Sequence, residues 1–222
     1  MLRLGTFVLF ALFAVAVLPG RQARADDLKS VLARLDAAAQ DFHSTSAHVE
    51  FDTIQTEPIP DKDVLTGTAY YERDGAHFQM AAHLTEHNGR STAKTYILSG
   101  GTLRVSETGR ESDAKVYTEA GKYESYLMLG FGASGAQLEE KWTIKYLGAE
   151  TINGVATDKL ELVAKDANIR KTIQKVTIWL DTSRAVSLKQ VFDEGEGQSY
   201  VCYYSGIKVN QPLPRDAFSF GK

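Results

Sequence analysis

Two histidines and a glutamate form the most catalytic-looking pattern in this sequence. His83-Leu-Thr-Glu-His87 matches H-x-x-E-H, which holds zinc when both histidines share one face of a helix. Here the motif ends an alternating stretch and runs into Asn88-Gly89, a dipeptide typical of a β-hairpin turn. We therefore expect an exposed strand end at this position, and we assign no metal ligands.

A glycine-rich stretch resembles a phosphate-binding loop. Gly130-Phe-Gly-Ala-Ser-Gly135 reads G-x-G-x-x-G, which binds dinucleotides when a strand precedes it and a helix follows. The residues before it, from Lys122 onward, predict a short helix, so we interpret these glycines as a helix end. Ser134 lacks the G-x-S-x-G pattern of a hydrolase, and Cys202 lies in a predicted strand without a histidine nearby in sequence. No cofactor and no enzymatic activity are expected.

The chain has instead a surplus of apolar side chains on its predicted strands, many of them aromatic. A curved antiparallel sheet with a thin cover of helices can enclose an apolar ligand cavity, although a filled core fits the same pattern. The candidate cavity residues are apolar side chains of the strands and of the short helix between them: Phe78, Met80, Tyr126, Leu127, Phe131, Trp142, Ile144, Tyr146, Leu160, Leu162, Ile178, Leu180, Tyr200 and Tyr204.

Alternation of polar and apolar residues predicts that most of the chain forms strands. The clearest case is the C-terminal part, where segments 175–181, 185–192 and 198–204 each alternate with period two. Their short connectors force neighbouring strands to run antiparallel. Similar stretches from residue 46 onward bring the total to about ten strands. No βαβ rhythm appears, so a parallel sheet is not expected.

A helix is predicted before the first strand. Asp26 and Asp27 can cap it, and apolar residues recur at helical spacing from Leu28 to Phe42. Charged and polar residues occupy the opposite face, so we expect this helix to pack its apolar side on the sheet. Short helices are also expected in the middle of the chain, around residues 122–131 and 136–140.

The first 25 residues differ from the rest of the chain. Arg3 precedes an apolar run from Phe7 to Leu18, and small residues at positions 23 and 25 predict a secretory signal peptide cleaved before Asp26. An uncleaved anchor is the alternative, although a membrane span needs roughly 20 apolar residues. Residues 26–222 are then expected to form one exported, periplasmic domain. Its single cysteine, Cys202, forbids an intramolecular disulfide and a lipid anchor just after the signal.

The charge balance excludes two classes of partner. The net charge is −3, and no stretch of the chain forms a basic cluster. Nucleic-acid binding requires a basic face, and electrostatic docking on anionic lipids requires the same. Neither kind of partner is expected for this chain.

The C-terminal end carries motifs of a known group. Trp179 and Asp181 form a W-x-D hairpin, a tyrosine-rich strand follows at residues 200–204, and Ile207-Lys-Val-Asn-Gln-Pro-Leu-Pro-Arg-Asp-Ala-Phe-Ser-Phe220 ends the pattern. In this order the motifs resemble the LolA family of periplasmic lipoprotein carriers and the wider LolA-like lipoprotein-sorting group. The resemblance implies a mainly β (α+β) fold: an incomplete antiparallel β-barrel with an N-terminal helix and short lid helices covering its open side.

The resemblance also implies one site residue. Gly67-Thr-Ala-Tyr-Tyr-Glu-Arg73 is similar to the family motif G-x-L-x-x-x-R-P, whose arginine tethers the lid through hydrogen bonds to helix carbonyls. Arg73 occupies the matching position and is the expected lid tether. The sequence departs from the motif at Ala69, where a larger residue is usual, and at Asp74, where the family has proline.

The function implied by the resemblance is a monomeric periplasmic carrier. It would shield the acyl chains of lipoproteins, or other lipids, between sheet and lid and deliver them towards the outer membrane. An inner-membrane release complex and an outer-membrane receptor would be its partners. A periplasmic lipid or envelope-stress sensor using the same cavity is the alternative, because the group includes sensor-like RseB and MucB domains. An exported enzyme is a third hypothesis, which the lack of a coherent catalytic constellation disfavours.

Overall fold

The computed structural model describes residues 27–75, 77–118 and 129–221, and in these an antiparallel sheet of eleven strands carries an N-terminal helix. The strands are β1 (Ser44–Gln55), β2 (Asp61–Asp74), β3 (His77–His87), β4 (Arg90–Ser99), β5 (Thr102–Ser106), β6 (Lys115–Tyr117), β7 (Trp142–Ile152), β8 (Val155–Ala164), β9 (Lys175–Asp181), β10 (Val186–Gly195) and β11 (Gln198–Val209). The helices are α1 (Leu28–Gln40), α2 (Gly135–Lys141), α3 (Ala167–Arg170) and a 3₁₀ turn (Glu111–Asp113).

The first and last strands meet at the centre of the sheet. β1 pairs with β2 on one side and with β11 on the other, so the spatial order is β6-β5-β4-β3-β2-β1-β11-β10-β9-β8-β7. Two meanders, β1–β6 and β7–β11, are thus joined by one central pair. The sheet ends at β6 and β7 among the described residues and is open. The expected antiparallel, mainly β fold is confirmed, with eleven strands where alternation predicted about ten.

Hairpin turns were the most reliable local signals in the sequence. Asn88-Gly89 joins β3 to β4 with φ angles of 50° and 73°, and Asn153-Gly154 joins β7 to β8 with φ angles of 49° and 80°. Positive φ at both central residues is characteristic of a type I′ turn, whose twist matches that of the flanking strands. The short connectors between β9, β10 and β11 likewise produce the expected antiparallel pairs.

Helix α1 begins at a side-chain cap. The Asp27 carboxylate accepts a hydrogen bond from the Ser30 backbone N–H at 2.8 Å, which satisfies one of the free donors at the helix start. Val31, Leu35 and Ala39 recur at helical spacing and are buried against the sheet, as expected. No helix within the described ranges is both long and apolar enough to cross a membrane.

Two apolar clusters occupy one face of the sheet, called here the inner face; the opposite face is the outer face. The first cluster involves β1–β4 and β11 and includes Phe42 and Phe131. The second lies between α1, α2 and strands β7–β9. α1 therefore covers the half of the sheet that begins at β7. On the other half, the first cluster includes the side chains of Phe42 and Phe131.

Candidate functional site

An apolar cavity of about 300 Å³ lies on the inner face of the half-sheet that α1 leaves uncovered. Its lining comes from β1–β5, β10 and β11: Val49, Phe51, Ala69, Tyr71, Met80, Ala82, Leu84, Tyr96, Leu103, Gln190, Phe192, Tyr200, Cys202 and Tyr204. None of these side chains is charged. A concave, apolar site with a few convergent polar groups is the usual form of a small-molecule pocket.

The structure brings part of the expected set of cavity residues together here. Met80, Tyr200 and Tyr204 line the cavity. Phe131 is not among the lining residues but packs beside them: its ring stacks on Tyr71 with centroids 3.9 Å apart and meets Tyr204 edge-on at 4.8 Å. Phe78 packs edge-on against Tyr71 at 6.4 Å, within the first apolar cluster.

Seven other expected residues lie elsewhere on the inner face. The second cluster, beneath α1, contains five of them as buried core residues: Trp142, Leu160, Leu162, Ile178 and Leu180. Two more, Ile144 and Tyr146, are partly buried against that cluster. The remaining two, Tyr126 and Leu127, lie outside the described residues, as do the expected signal peptide and most of the expected helix at 122–131.

Residues 129–132 form a turn that packs beside the cavity and is held by hydrogen bonds to β10 and the residue before it. The Gly132 N–H donates to the Ala185 carbonyl at 2.8 Å, and the Gln190 side-chain amide donates to the Leu129 carbonyl. Gly132 has a φ of +68°, and a Cβ at this position would lie 2.2 Å from the Phe42 ring. Only glycine therefore fits this turn, which holds Phe131 over Tyr71.

Arg73 connects strand β2 with α1 and with the turn at Gly132. It extends from β2 and donates one hydrogen bond to the Ala39 carbonyl at 3.4 Å and another to the Gly132 carbonyl. The Ala39 carbonyl belongs to the last turn of α1, where backbone oxygens lack partners within the helix and the helix dipole favours a cation. The guanidinium also lies 6.0 Å from the Phe42 ring centroid and 5.8 Å from that of Phe78, and burial lowers the pKa of Arg73. The expected lid tether thus links the sheet, α1 and the turn at Gly132.

Three of the lining side chains, Tyr71, Tyr204 and Gln190, are linked to one another by hydrogen bonds. The Tyr204 hydroxyl donates to the Gln190 Oε1 at 3.4 Å, and the Tyr71 and Tyr204 hydroxyl oxygens are 3.4 Å apart. Burial raises the pKa of both tyrosines above the ordinary value, so both hydroxyls stay protonated. Burial also raises the pKa of the neighbouring Cys202 thiol to about 12, which makes it a poor nucleophile.

The histidines of the H-x-x-E-H motif lie on strand β3, as the sequence predicted, and contact different partners. The His83 Nε2 atom is 2.8 Å from the Ala217 carbonyl oxygen, and the His87 Nε2 atom is 2.6 Å from an Asp63 carboxylate oxygen. That bond to His87 is the first reason why the pKa of Asp63 is lowered. Within the described ranges, no group of three or more His, Cys, Asp or Glu side chains could hold a metal ion.

Comparisons with protein-family profiles and with curated proteins give no match. Among solved structures, MucB matches with a TM-score of 0.54 at 14% identity, over 88% of this chain and 63% of that one. A chain from the Pseudomonas aeruginosa MucA/MucB complex matches with a TM-score of 0.51 at 13% identity, over 88% of this chain and 62% of that one. A LolA superfamily protein from Nitrosomonas europaea gives 0.43 at 16% identity, over 88% of this chain and 98% of its own. The chain shares the fold of MucB over the matched part.

The chain spans about three fifths of the MucB chains that it matches. At these identities the likeness concerns the fold alone. Arg73 occupies the position at which the sequence motif placed the family arginine, and it contacts the carbonyl of an α1 residue.

Several residues that line the cavity could not be identified from the sequence. Gln190 lies at an inward position of β10 between Leu188 and Phe192. The available signal was a polar residue at a position where the alternation of the strand places apolar residues. Phe51 is another such residue, and its ring stacks on that of the expected residue Tyr200 on the neighbouring strand, with centroids 5.6 Å apart. That contact depends on the β1–β11 pairing, which joins residues far apart in sequence and which alternation does not reveal.

Proposed function

We propose that the chain is an exported lipid-binding protein that holds an acyl chain in the cavity between the inner face of the sheet and Phe131. The observation that carries this proposal is an apolar cavity of about 300 Å³ whose described lining residues include no charged side chain. Each buried methylene contributes about 0.8 kcal/mol, so roughly ten of them give about 8 kcal/mol before the costs of binding are subtracted. One acyl chain therefore provides enough free energy for stable but reversible binding.

A carrier of lipoprotein acyl chains towards the outer membrane is the role that we favour. The support is the order of C-terminal motifs, the LolA-like fold and the predicted signal peptide at residues 1–25. The covering elements, α1 and residues 129–132, are joined to β2 through Arg73 by two hydrogen bonds. An inner-membrane release complex and an outer-membrane receptor would then exchange the cargo with a monomeric carrier in the periplasm.

A periplasmic sensor domain is the second candidate. The observation that favours it is the likeness to MucB, for which a complex with MucA has been solved. In this role the same cavity would bind a lipid, and the bound state would change the affinity for a protein partner. The two candidates differ in cargo: a carrier co-purifies with an acylated polypeptide, whereas a sensor co-purifies with free lipid.

Filling the cavity tests the shared premise of both candidates. Ala82 lines the cavity, so Ala82→Phe places a ring in the space that an acyl chain would occupy. We expect the affinity for the apolar fluorophore N-phenyl-1-naphthylamine to fall about tenfold or more, because lost apolar contacts cost about 0.8 kcal/mol per methylene.

The matched control is Ala149→Phe, on an exposed position of β7. It should bind the fluorophore as the unchanged protein does. Equal binding by the unchanged protein, Ala82→Phe and Ala149→Phe would mean that the fluorophore binds elsewhere. That result would remove the basis of the proposed function.

A further inference from the structure

We propose that the cavity selects a single acyl chain whose head group is a neutral hydrogen-bond donor, a hydroxyl or an amide, and that this group binds the Tyr71 oxygen. The inference rests on the proposed lipid-binding function and adds the chemical class of the ligand. It comes from three hydrogen-bonded residues of the largely apolar lining, Tyr71, Tyr204 and Gln190.

The direction of the hydrogen bonds leaves an acceptor free in the cavity. Gln190 donates to the Leu129 carbonyl and accepts from the Tyr204 hydroxyl. The single proton of Tyr204 is thereby used, so the bond between the two tyrosines is donated by Tyr71. The Tyr71 oxygen keeps its own acceptor capacity, and its side chain lines the cavity. A buried acceptor of this kind is best satisfied by a ligand O–H or N–H.

The same geometry disfavours an ionised carboxylate. No charged side chain is among the described residues that line the cavity, and an unpaired buried charge is far more costly than a neutral polar group. Arg73, two residues along β2 from Tyr71, donates instead to the carbonyls of Ala39 and Gly132 and does not line the cavity. A fatty acid should therefore enter only in its protonated form.

The cavity volume limits the ligand to one chain. An apolar cavity of about 150 Å³ holds benzene, so the 300 Å³ found here accommodates roughly a dozen carbon atoms. A chain of that length matches the space, and a second chain of similar length does not fit. Dodecyl compounds are therefore suitable probes.

The first test measures displacement of N-phenyl-1-naphthylamine by 1-dodecanol, dodecanamide and dodecane. In Tyr71→Phe, we expect 1-dodecanol and dodecanamide to bind about tenfold more weakly, because the ligand donor is left without its partner. Dodecane should bind equally to all variants. Tyr203→Phe, at a half-exposed position next to Tyr204 on the outer face, is the matched control and should change nothing.

The second test uses the unchanged protein and dodecanoic acid, so it does not depend on the folding of any variant. If only the protonated acid binds, the apparent affinity falls about tenfold for each pH unit between pH 6 and 8, while the affinity for 1-dodecanol stays constant. Equal binding of dodecanoic acid at both pH values would overturn the proposal, as would equal losses for dodecane and 1-dodecanol in Tyr71→Phe. Failure of every dodecyl compound to displace the fluorophore would instead refute the proposed lipid-binding function.

Discussion

Arg73 links strand β2 to two elements that lie over the sheet, α1 and the turn at Gly132. Its two hydrogen bonds go to backbone carbonyls, one in the last turn of α1 and one at Gly132. A guanidinium suits this position because its planar fork directs N–H groups at two acceptors while its faces lie near the Phe42 and Phe78 rings. Loss of the fork leaves two carbonyl oxygens without donors near the apolar wall of the cavity.

Arg73→Leu should therefore destabilise the protein. We expect the free energy of unfolding, measured by urea titration, to fall by about 1–3 kcal/mol, the usual cost of leaving part-buried polar groups unpaired. Arg73→Lys keeps the charge but loses the fork and should show a smaller loss. An unchanged urea midpoint for Arg73→Leu would contradict the assignment of Arg73 as the residue that tethers α1 and residues 129–132.

At the scale of elements, period-two alternation and the Asn-Gly turns predicted most of the strands and the antiparallel pairing of consecutive strands, but not β6 or the central β1–β11 pair. They did not determine which part of the long inner face lies under α1. Leu160 and Ile178 alternate inward as clearly as Tyr204, yet they pack against the helix, whereas Tyr204 lines the cavity. The phase of a strand reveals which face is buried but not what covers it, since covering depends on contacts between distant segments. For the same reason, Phe51 and Phe192 could not be identified from the sequence as residues that line the cavity.

The turn at residues 129–132 packs directly on Phe42, which follows α1, and this contact can be tested with a matched pair of glycines. Gly132→Ala adds both left-handed backbone strain, at φ +68°, and a collision with the Phe42 ring. Gly89→Ala adds comparable strain, at φ +73°, but its Cβ meets nothing within 4 Å.

We expect both changes to cost about 1–2 kcal/mol through the backbone, and Gly132→Ala to cost about 1–3 kcal/mol more through overpacking. Thermal unfolding of the two variants side by side gives the difference. Equal melting temperatures would show that the turn does not press against Phe42 as described.

At the scale of the whole molecule, the cavity follows from a mismatch between helix length and sheet width. Thirteen helical residues extend about 20 Å, whereas eleven strands at about 4.8 Å spacing extend about 50 Å. One such helix can cover less than half of the inner face, and α1 covers the part from β7 to β9. On the other half, among the described residues, Phe131 stacks on Tyr71, and the cavity lies beside this pair.

The most direct test of this account is to purify the protein from its native host and identify what it carries by organic extraction and mass spectrometry. We expect about one acyl-bearing molecule per protein chain, and none on Ala82→Phe purified in the same way. An acylated polypeptide would support the carrier role, and a free lipid would support the sensor role. An unchanged protein that carries no acyl chain and fails to bind N-phenyl-1-naphthylamine would contradict the central claim that this cavity is a lipid-binding site.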